Sequence, residues 1–194
     1  MLRLFIAIAI SEAADNALRE ICHSVSGARF TPSGNFHLTL RFMGELGSEA
    51  FSDLRDALHG IRDDPFHLSV KGVGHFPLRG MPRTLWAGAS AHTMTSQVPA
   101  FDPLIRLQRK VEKMVIRLGH KPDGRNFHAH VTIARLQEGR GLSGRVAQFL
   151  MANSLWRSEP FMVNAFHLYS SRTKNDGPHY HIEQTYPLNG TSGL

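Results

Sequence analysis

The sequence has a single cysteine, Cys22, among its 194 residues. One cysteine excludes an intrachain disulfide and any zinc site built from several thiolates. Long apolar runs are also missing, because the run over residues 4–10 is too short to span a bilayer and no signal-peptide cleavage site follows it. These absences predict a protein of a reducing compartment, and we expect the cytoplasm with no membrane attachment.

Acidic residues are outnumbered by basic ones, and lysine is scarce. The chain has 16 Asp and Glu against 22 Lys and Arg, and 17 of those 22 are arginine. The net charge of +6 favours a polyanionic partner, since positive charge attracts phosphates and the planar guanidinium binds their oxygens in pairs. An arginine-rich genome would give the same count, so charge alone does not identify nucleic acid as the partner.

The two halves of the chain share one order of predicted elements. After a first strand over residues 4–10, each half is predicted to contain a helix, a strand, a helix and two further strands. The predicted helices lie near residues 11–27, 51–61, 104–118 and 146–151. The other predicted strands lie near residues 36–42, 67–73, 84–89, 128–135, 162–170 and 180–188. The lobe-forming repeats span about residues 11–90 and 101–188 of one domain, with a linker over residues 91–103. A pseudo-twofold axis between such lobes would bring equivalent strands together around one cleft.

Each half contains one predicted strand with a His-x-Thr pattern. Residues 37–40 read His-Leu-Thr-Leu, and residues 130–133 read His-Val-Thr-Ile. Because side chains alternate across a strand, His37 shares a face with Thr39, and His130 shares a face with Thr132. A single strand histidine is usually a hydrogen-bonded surface side chain, whereas two matching tetrapeptides at equivalent places in a repeat indicate a common site.

Two histidines with two threonines suit displacement at the phosphorus atom of a phosphodiester. One imidazole can take a proton from the nucleophile and the other can protonate the leaving oxygen, because an imidazole pKa of about 6.5 serves both roles. The hydroxyls of Thr39 and Thr132 can donate hydrogen bonds to the non-bridging phosphate oxygens. This mechanism requires neither a metal nor a cofactor.

Further motifs run almost from end to end of the chain. They comprise residues 4–8 (LFIAI), 38–45 (LTLRFMGE), 82–88 (PRTLWAG), 127–135 (FHAHVTIAR), 168–171 (LYSS) and 177–180 (GPHY). In these motifs, their order and their spacing, the chain resembles the two-histidine (2H) phosphoesterase superfamily. Within that superfamily it is similar to the RNA 2′,3′-cyclic phosphodiesterases once called 2′-5′ RNA ligases.

The resemblance implies an α+β fold with two lobes, in which two antiparallel sheets face a central cleft and helices lie outside. It implies hydrolysis of a terminal 2′,3′-cyclic phosphate on RNA, or of related cyclic nucleotides, to a 2′-phosphate, with reversible 2′-5′ joining of some RNA ends. His130 is the expected base and His37 the expected acid. Arg135 is expected near the phosphate and Phe42 near the terminal base, and we expect the protein to be a monomer.

Two other interpretations stay open. His128 with His130, and His179 with His181, each place two imidazoles on one strand face, which suits a transition metal and would make the protein a metal-dependent hydrolase. The cleft could instead belong to a non-catalytic module that holds an RNA end through arginine and aromatic side chains.

Arg41 and Phe42 follow the first His-x-Thr pattern on opposite faces of an ideal strand. Arg41 is predicted on the face of His37 and Thr39, where it could reach phosphate or form a surface ion pair. Phe42 is predicted on the other face. Its expected contact with a base therefore needs a bend in the strand, near Gly44, that the sequence does not reveal.

Overall fold

The computed structural model describes residues 2–23, 25–92, 102–137, 139, 141–174 and 177–190. Within these ranges the strands are β1 (Leu2–Ala9), β2 (Ala28–Phe30), β3 (His37–Leu46), β4 (Phe66–Phe76), β5 (Thr84–His92), β6 (His130–Leu136), β7 (Phe161–Val163), β8 (Ala165–Lys174) and β9 (Gly177–Pro187). The helices are α1 (Glu12–Ile21), α2 (Ser48–Leu58), α3 (Pro103–Arg117) and α4 (Leu142–Ala152). None of these helices is long and apolar enough to cross a membrane.

The strands form one antiparallel sheet in the order β7-β4-β5-β6-β3-β1-β8-β9, with β2 beside β6. Its two parts meet where Leu38 of β3 pairs with Val131 of β6. The predicted α+β fold is confirmed, and the two expected sheets are continuous with each other through this pair.

Each part of the sheet combines strands from both halves of the sequence. Strands β4 and β5 come from the first half, and β5 pairs with β6 from the second. Strands β8 and β9 come from the second half, and β8 pairs with β1 from the first. The strands that begin with His37 and His130 therefore lie side by side at the centre of the sheet. The division of the chain into repeats over residues 11–90 and 101–188 stays a prediction.

All four helices contribute to one core on a single face of the sheet. Their apolar residues pack with inward residues of the strands in this core, among them Leu18, Leu54, Leu107, Val111, Val146, Ile6, Leu38, Leu85 and Val131. On the opposite face of the sheet, Phe5, Ala7 and Tyr169 form a small separate cluster with Tyr180 packed against it. We call this second face, which carries His37 and His130, the cleft face.

Helix starts follow local sequence signals. Ser11 accepts a hydrogen bond from the backbone N–H of Ala14 at the start of α1. At the start of α3, Asp102 accepts from the N–H groups of Leu104 and Ile105, and Pro103 occupies the first helical turn. These caps satisfy donors that have no partner inside the helix, which fixes where each helix begins.

Several predicted boundaries are wrong. Helix α1 ends at Ile21 rather than near Gly27, and β3 continues through Gly44 to Leu46. Gly44 has a φ of 77° at a register shift between β1 and β3, so it supports a β-bulge instead of ending the strand. Strand β2 was not predicted, since three residues are too few to show an alternating pattern. The strand predicted over residues 162–170 is divided at Asn164 into β7 and β8. Residues 93–101 of the predicted linker lie outside the described residues.

Candidate active site

The four residues of the two His-x-Thr patterns lie together at the junction of β3 and β6. Because the strands are antiparallel and Leu38 pairs with Val131, the register places His37 beside Thr132 and Thr39 beside His130. Leu38 and Val131 point away from the cleft into the core, where both are 0% exposed. In such a pair, residues on a diagonal lie about 7–8 Å apart. The two histidines occupy one diagonal and can bracket a single phosphate.

Both histidines have the same kind of backbone partner. Nδ1 of His37 lies 2.8 Å from the carbonyl oxygen of Asn35, and Nδ1 of His130 lies 2.6 Å from the carbonyl oxygen of His128. A carbonyl only accepts, so each neutral ring carries its proton on Nδ1 and leaves a lone pair on Nε2. The two rings are thus held in the same tautomer, with Nε2 available for proton transfer.

Burial lowers the pKa of both imidazoles below 6.5. The positive charges of His130 and Arg135 lower the pKa of His37 further, and those of His128 and Arg135 lower that of His130. The two carbonyl hydrogen bonds oppose these shifts. Without a bound anion both rings are therefore neutral at neutral pH, and a bound phosphate would favour protonation of one of them.

Aromatic side chains form a wall beside His37. Its ring centroid lies 4.7 Å from that of Phe5 and 5.0 Å from that of Tyr180. Tyr169 stacks on Phe5 with a centroid distance of 5.0 Å, and burial raises the pKa of Tyr169 to about 12. This wall fixes the ring of His37 through packing, and the phenol of Tyr169 stays neutral at any working pH.

A second aromatic wall lies beside His130. Phe76 meets His130 edge to face at 5.1 Å, and Trp86 meets His128 at 4.7 Å. Trp86 lies flat against Gly74, where an added Cβ would come within 2.2 Å of the indole ring. Glycine at this position thus makes room for the indole between β4 and the histidine strand.

Phe42 and Arg135 are at equivalent positions, each five residues after its histidine. A regular strand would turn the fifth residue to the opposite face. The register of β3 against β1 shifts between Thr39 and Arg41, and that of β6 against β5 shifts between Thr132 and Ala134. Each shift adds one residue to the strand and so brings the fifth residue back to the cleft face.

Contacts on the cleft face agree with this change of face. The ring of Phe42 lies 6.0 Å from that of Phe5 and is about half exposed. Nη1 of Arg135 donates to the hydroxyl of Thr84 at 3.1 Å, and the charge of Arg135 acts on both histidines. Because β3 and β6 run in opposite directions, Phe42 and Arg135 lie beyond opposite ends of the four-residue site, with Arg135 at the end formed by His37 and Thr132.

Arg41 is not on the cleft face, so the prediction that it shares a face with His37 and Thr39 is wrong. The same bulge turns its side chain toward α3, where Nε lies 3.2 Å from Glu112 and Nη1 lies 3.3 Å from Asp123. Arg41 also donates to the carbonyl oxygen of Lys121. Arg41 therefore holds the loop that leads to His128 and His130, a role that only the three-dimensional register reveals.

The loop before His37 has its own anchor. Asp15 of α1 accepts hydrogen bonds from the Ser33 hydroxyl and the Gly34 N–H, both at 2.9 Å. The side-chain amide of Asn35 donates to the carbonyl oxygen of Pro178 at 3.1 Å. These bonds hold the Asn35 carbonyl that orients His37, and the sequence patterns gave no sign of them.

The candidate metal-binding pairs do not converge. Tyr180 faces the cleft, so His179 and His181 on either side of it are directed to the other face, and both are exposed. His128 lies on the cleft side in the second aromatic wall. Over the ranges that the structure describes, no three histidine, cysteine or acidic side chains are grouped to hold a metal ion.

Comparisons with known proteins agree with this architecture. The family model for LigT-like phosphoesterases matches residues 8–86 and 97–180. The chain belongs to this family, which is part of the 2H phosphoesterase superfamily.

Individual relatives match over most of their length. An RNA 2′,3′-cyclic phosphodiesterase of Archaeoglobus fulgidus is 29% identical over 182 residues, which cover 92% of this chain and 96% of the relative. One of Aeropyrum pernix is 31% identical over 126 residues, or 65% of this chain and 67% of the relative.

Solved structures share the whole fold. Protein TT0787 of Thermus thermophilus has a TM-score of 0.75 at 26% identity, with 97% of this chain and 98% of that chain covered. E. coli LigT, solved in complex with 3′-AMP, has a TM-score of 0.73 at 24% identity over the same shares of the two chains.

Proposed function

We propose that the protein is an RNA 2′,3′-cyclic phosphodiesterase that hydrolyses a terminal 2′,3′-cyclic phosphate to a 2′-phosphate without a metal. The observation that carries this proposal is the grouping of His37, Thr39, His130 and Thr132 on the cleft face, with both rings held in the same tautomer. The archaeal relatives are named RNA 2′,3′-cyclic phosphodiesterases, which supports the substrate and the opening of its cyclic phosphate.

In this mechanism, Nε2 of neutral His130 takes a proton from a water molecule as the water oxygen attacks phosphorus. Protonated His37 gives its proton to the departing 3′ oxygen as the bond between phosphorus and that oxygen breaks. The phosphate stays on the 2′ oxygen. Thr39 and Thr132 donate to the non-bridging oxygens and stabilise the charge that develops on them.

The positions of Phe42 and Arg135 support this division of roles. In ribose, the base is attached to C1′, which is next to C2′. The 5′ carbon is attached to C4′, which is next to C3′. With the base against Phe42, the 3′ oxygen points to the opposite end of the site, where His37 and Arg135 lie. His37 is therefore the imidazole beside the leaving oxygen, and His130 is on the side from which water attacks.

An activated substrate tests the two roles separately. With a 3′ leaving group that needs little protonation, His37→Ala should be largely rescued and His130→Ala should not. Rescue of His130→Ala alone would reverse the assignment.

The reaction itself is tested with a short oligoribonucleotide that ends in a 2′,3′-cyclic phosphate. The expected product carries a 2′-phosphate, which resists enzymes that remove only 3′-phosphates. Formation of a 3′-phosphate, or no hydrolysis by the folded protein, would contradict the proposal.

Attack by the 5′ hydroxyl of a second RNA, in place of water, would give a 2′-5′ linkage, so we also propose reversible joining of RNA ends.

The protein is proposed to act as a cytoplasmic monomer. Light scattering should then give a mass near 21.7 kDa.

A further inference from the structure

Two arginines lie directly opposite each other on the cleft face. Arg29 of β2 pairs with Arg135 of β6 in an antiparallel register. Side chains at directly paired positions project from the same face of a sheet, and like charges in such positions are destabilising. Since Arg135 is on the cleft face, Arg29 extends the positive charge of that face by one strand.

Within the part of the chain that the structure describes, neither arginine is neutralised by an acidic neighbour. Both side chains are exposed, and among the residues that the structure describes no carboxylate forms an ion pair with Arg29 or Arg135. Other arginines of the chain do have such partners: Arg41, Arg55, Arg106 and Arg125 each contact an acidic side chain. Arg29 and Arg135 are thus two adjacent positive charges on the cleft face that have no acidic partner among the described residues.

Only one of the two arginines is directed at the histidines. The charge of Arg135 lowers the pKa of both His37 and His130, and Thr84 fixes its guanidinium by a hydrogen bond. Arg29 is on the neighbouring strand β2, and neighbouring strands of a regular sheet lie about 4.8 Å apart. A second anionic group, attached to the substrate beyond the reacting phosphate, would lie beside it.

We propose that Arg29, together with Arg135, binds the phosphate attached to the 5′ oxygen of the terminal nucleotide. This inference rests on the proposed function, because it uses the orientation of the cyclic phosphate between His37 and His130. In that orientation the 5′ carbon points to the end of the site where Arg135 lies. Arg29 thus makes the enzyme prefer RNA ends, which carry this phosphate, over nucleoside cyclic phosphates, which lack it.

Three substrates test the proposal by kcat/KM: adenosine 2′,3′-cyclic phosphate, its 5′-phosphorylated form, and the dinucleotide ApA with a terminal 2′,3′-cyclic phosphate. Arg29→Ala should lower kcat/KM roughly fivefold on the last two, which is the strong end of the range for one exposed ion pair, and leave the first unchanged. A loss on the dinucleotide identifies an internucleotide phosphate as the ligand, and a loss confined to the mononucleotide identifies a terminal 5′-phosphate.

Arg117→Ala is the matched control. Arg117 is an exposed arginine near the end of α3, a helix that packs on the opposite face, so its removal changes the net charge equally without touching the cleft. It should alter none of the three rates. The slope of the logarithm of the dinucleotide binding constant against the logarithm of salt concentration should also become shallower in Arg29→Ala, by about one.

A binding measurement separates this inference from the proposed function. Calorimetry with adenosine 3′,5′-bisphosphate and adenosine 3′-phosphate requires no turnover. Arg29→Ala should weaken binding of the bisphosphate roughly fivefold and leave the monophosphate unchanged. If the wild type hydrolyses none of the three substrates, the proposed reaction is wrong. If Arg29→Ala affects neither ligand, or both equally, the Arg29 site is wrong.

Discussion

Leu38 and Val131 form the residue pair that joins the two parts of the sheet, and both are completely buried. Because they point into the core, their neighbours His37 and Thr132 project from the other face. A slip of one residue in this pairing would turn one histidine into the apolar core. Hydrophobic packing on one face of the sheet thus fixes the arrangement of the polar site on the other.

Neighbouring residues Arg41 and Phe42 should give opposite phenotypes. Arg41→Ala breaks partly buried ion pairs with Glu112 and Asp123, so the free energy of unfolding should fall by roughly 3 kcal/mol. Phe42→Ala removes a half-exposed ring, so stability should change little and KM for RNA should rise about fivefold or more. Urea unfolding and steady-state kinetics measure the two effects. The reverse pattern would contradict the bulged register of β3.

Two glycine substitutions should change stability in opposite directions. Gly74→Ala places a Cβ against the indole of Trp86, so the free energy of unfolding should fall by about 1–3 kcal/mol. Gly144→Ala is in an exposed turn of α4 with nothing within 4 Å of the new Cβ, so stability should rise by about 0.5–1 kcal/mol. Thermal unfolding of the two variants checks both signs, and a stabilising Gly74→Ala would contradict the close contact with Trp86.

The sequence predicts the long elements and the histidine pair because both depend on periodic patterns. Apolar residues at helical spacing define α1 and α3, and alternation defines β3. The two bulges after Thr39 and Thr132 leave no such pattern, since a bulge depends on how a strand pairs with its neighbour. For this reason the side of the sheet on which Arg41 lies could not be predicted.

Contacts between distant segments are likewise absent from the sequence patterns. Arg29 lies opposite Arg135 only because the three-residue strand β2 pairs with β6. The interleaving of strands from the two halves of the chain has the same origin. Periodicity identifies an element but does not identify its partner in the sheet.

The optimum of kcat/KM should lie on the acid side of pH 6.5. The proposed mechanism needs one protonated and one neutral imidazole, and burial lowers the pKa of both His37 and His130 in the free enzyme. A bell-shaped profile of kcat/KM against pH checks this expectation. An optimum above pH 7 would contradict it.

Stability should depend on pH through the same two groups. Between the lowered folded-state pKa values and the unfolded value of about 6.5, the unfolded chain binds more protons. The free energy of unfolding should therefore rise as pH increases through this window and level off above it. Replacing His37 and His130 by alanine should reduce the slope measured by urea unfolding, and an unchanged slope would contradict the assigned shifts.

Activity should survive prolonged treatment with EDTA, because side chains supply both the proton transfers and the charge stabilisation. Rates on the cyclic-phosphate oligonucleotide before and after chelation check this. A loss of activity that zinc or manganese restores would favour the metal-dependent interpretation through His128 and His130.

Turnover of an oligonucleotide with a terminal 2′,3′-cyclic phosphate, compared among wild type, His37→Ala, His130→Ala and the double variant, tests the central claim most directly. Each single substitution should lower kcat by roughly 10²- to 10⁴-fold, because each removes one of the two proton transfers. The double variant should lose less than the product of the two, since the histidines act as a unit. Thr39→Ala and Thr132→Ala should be less severe. Full activity in either single histidine variant, with the fold intact by circular dichroism, would contradict the two-histidine mechanism.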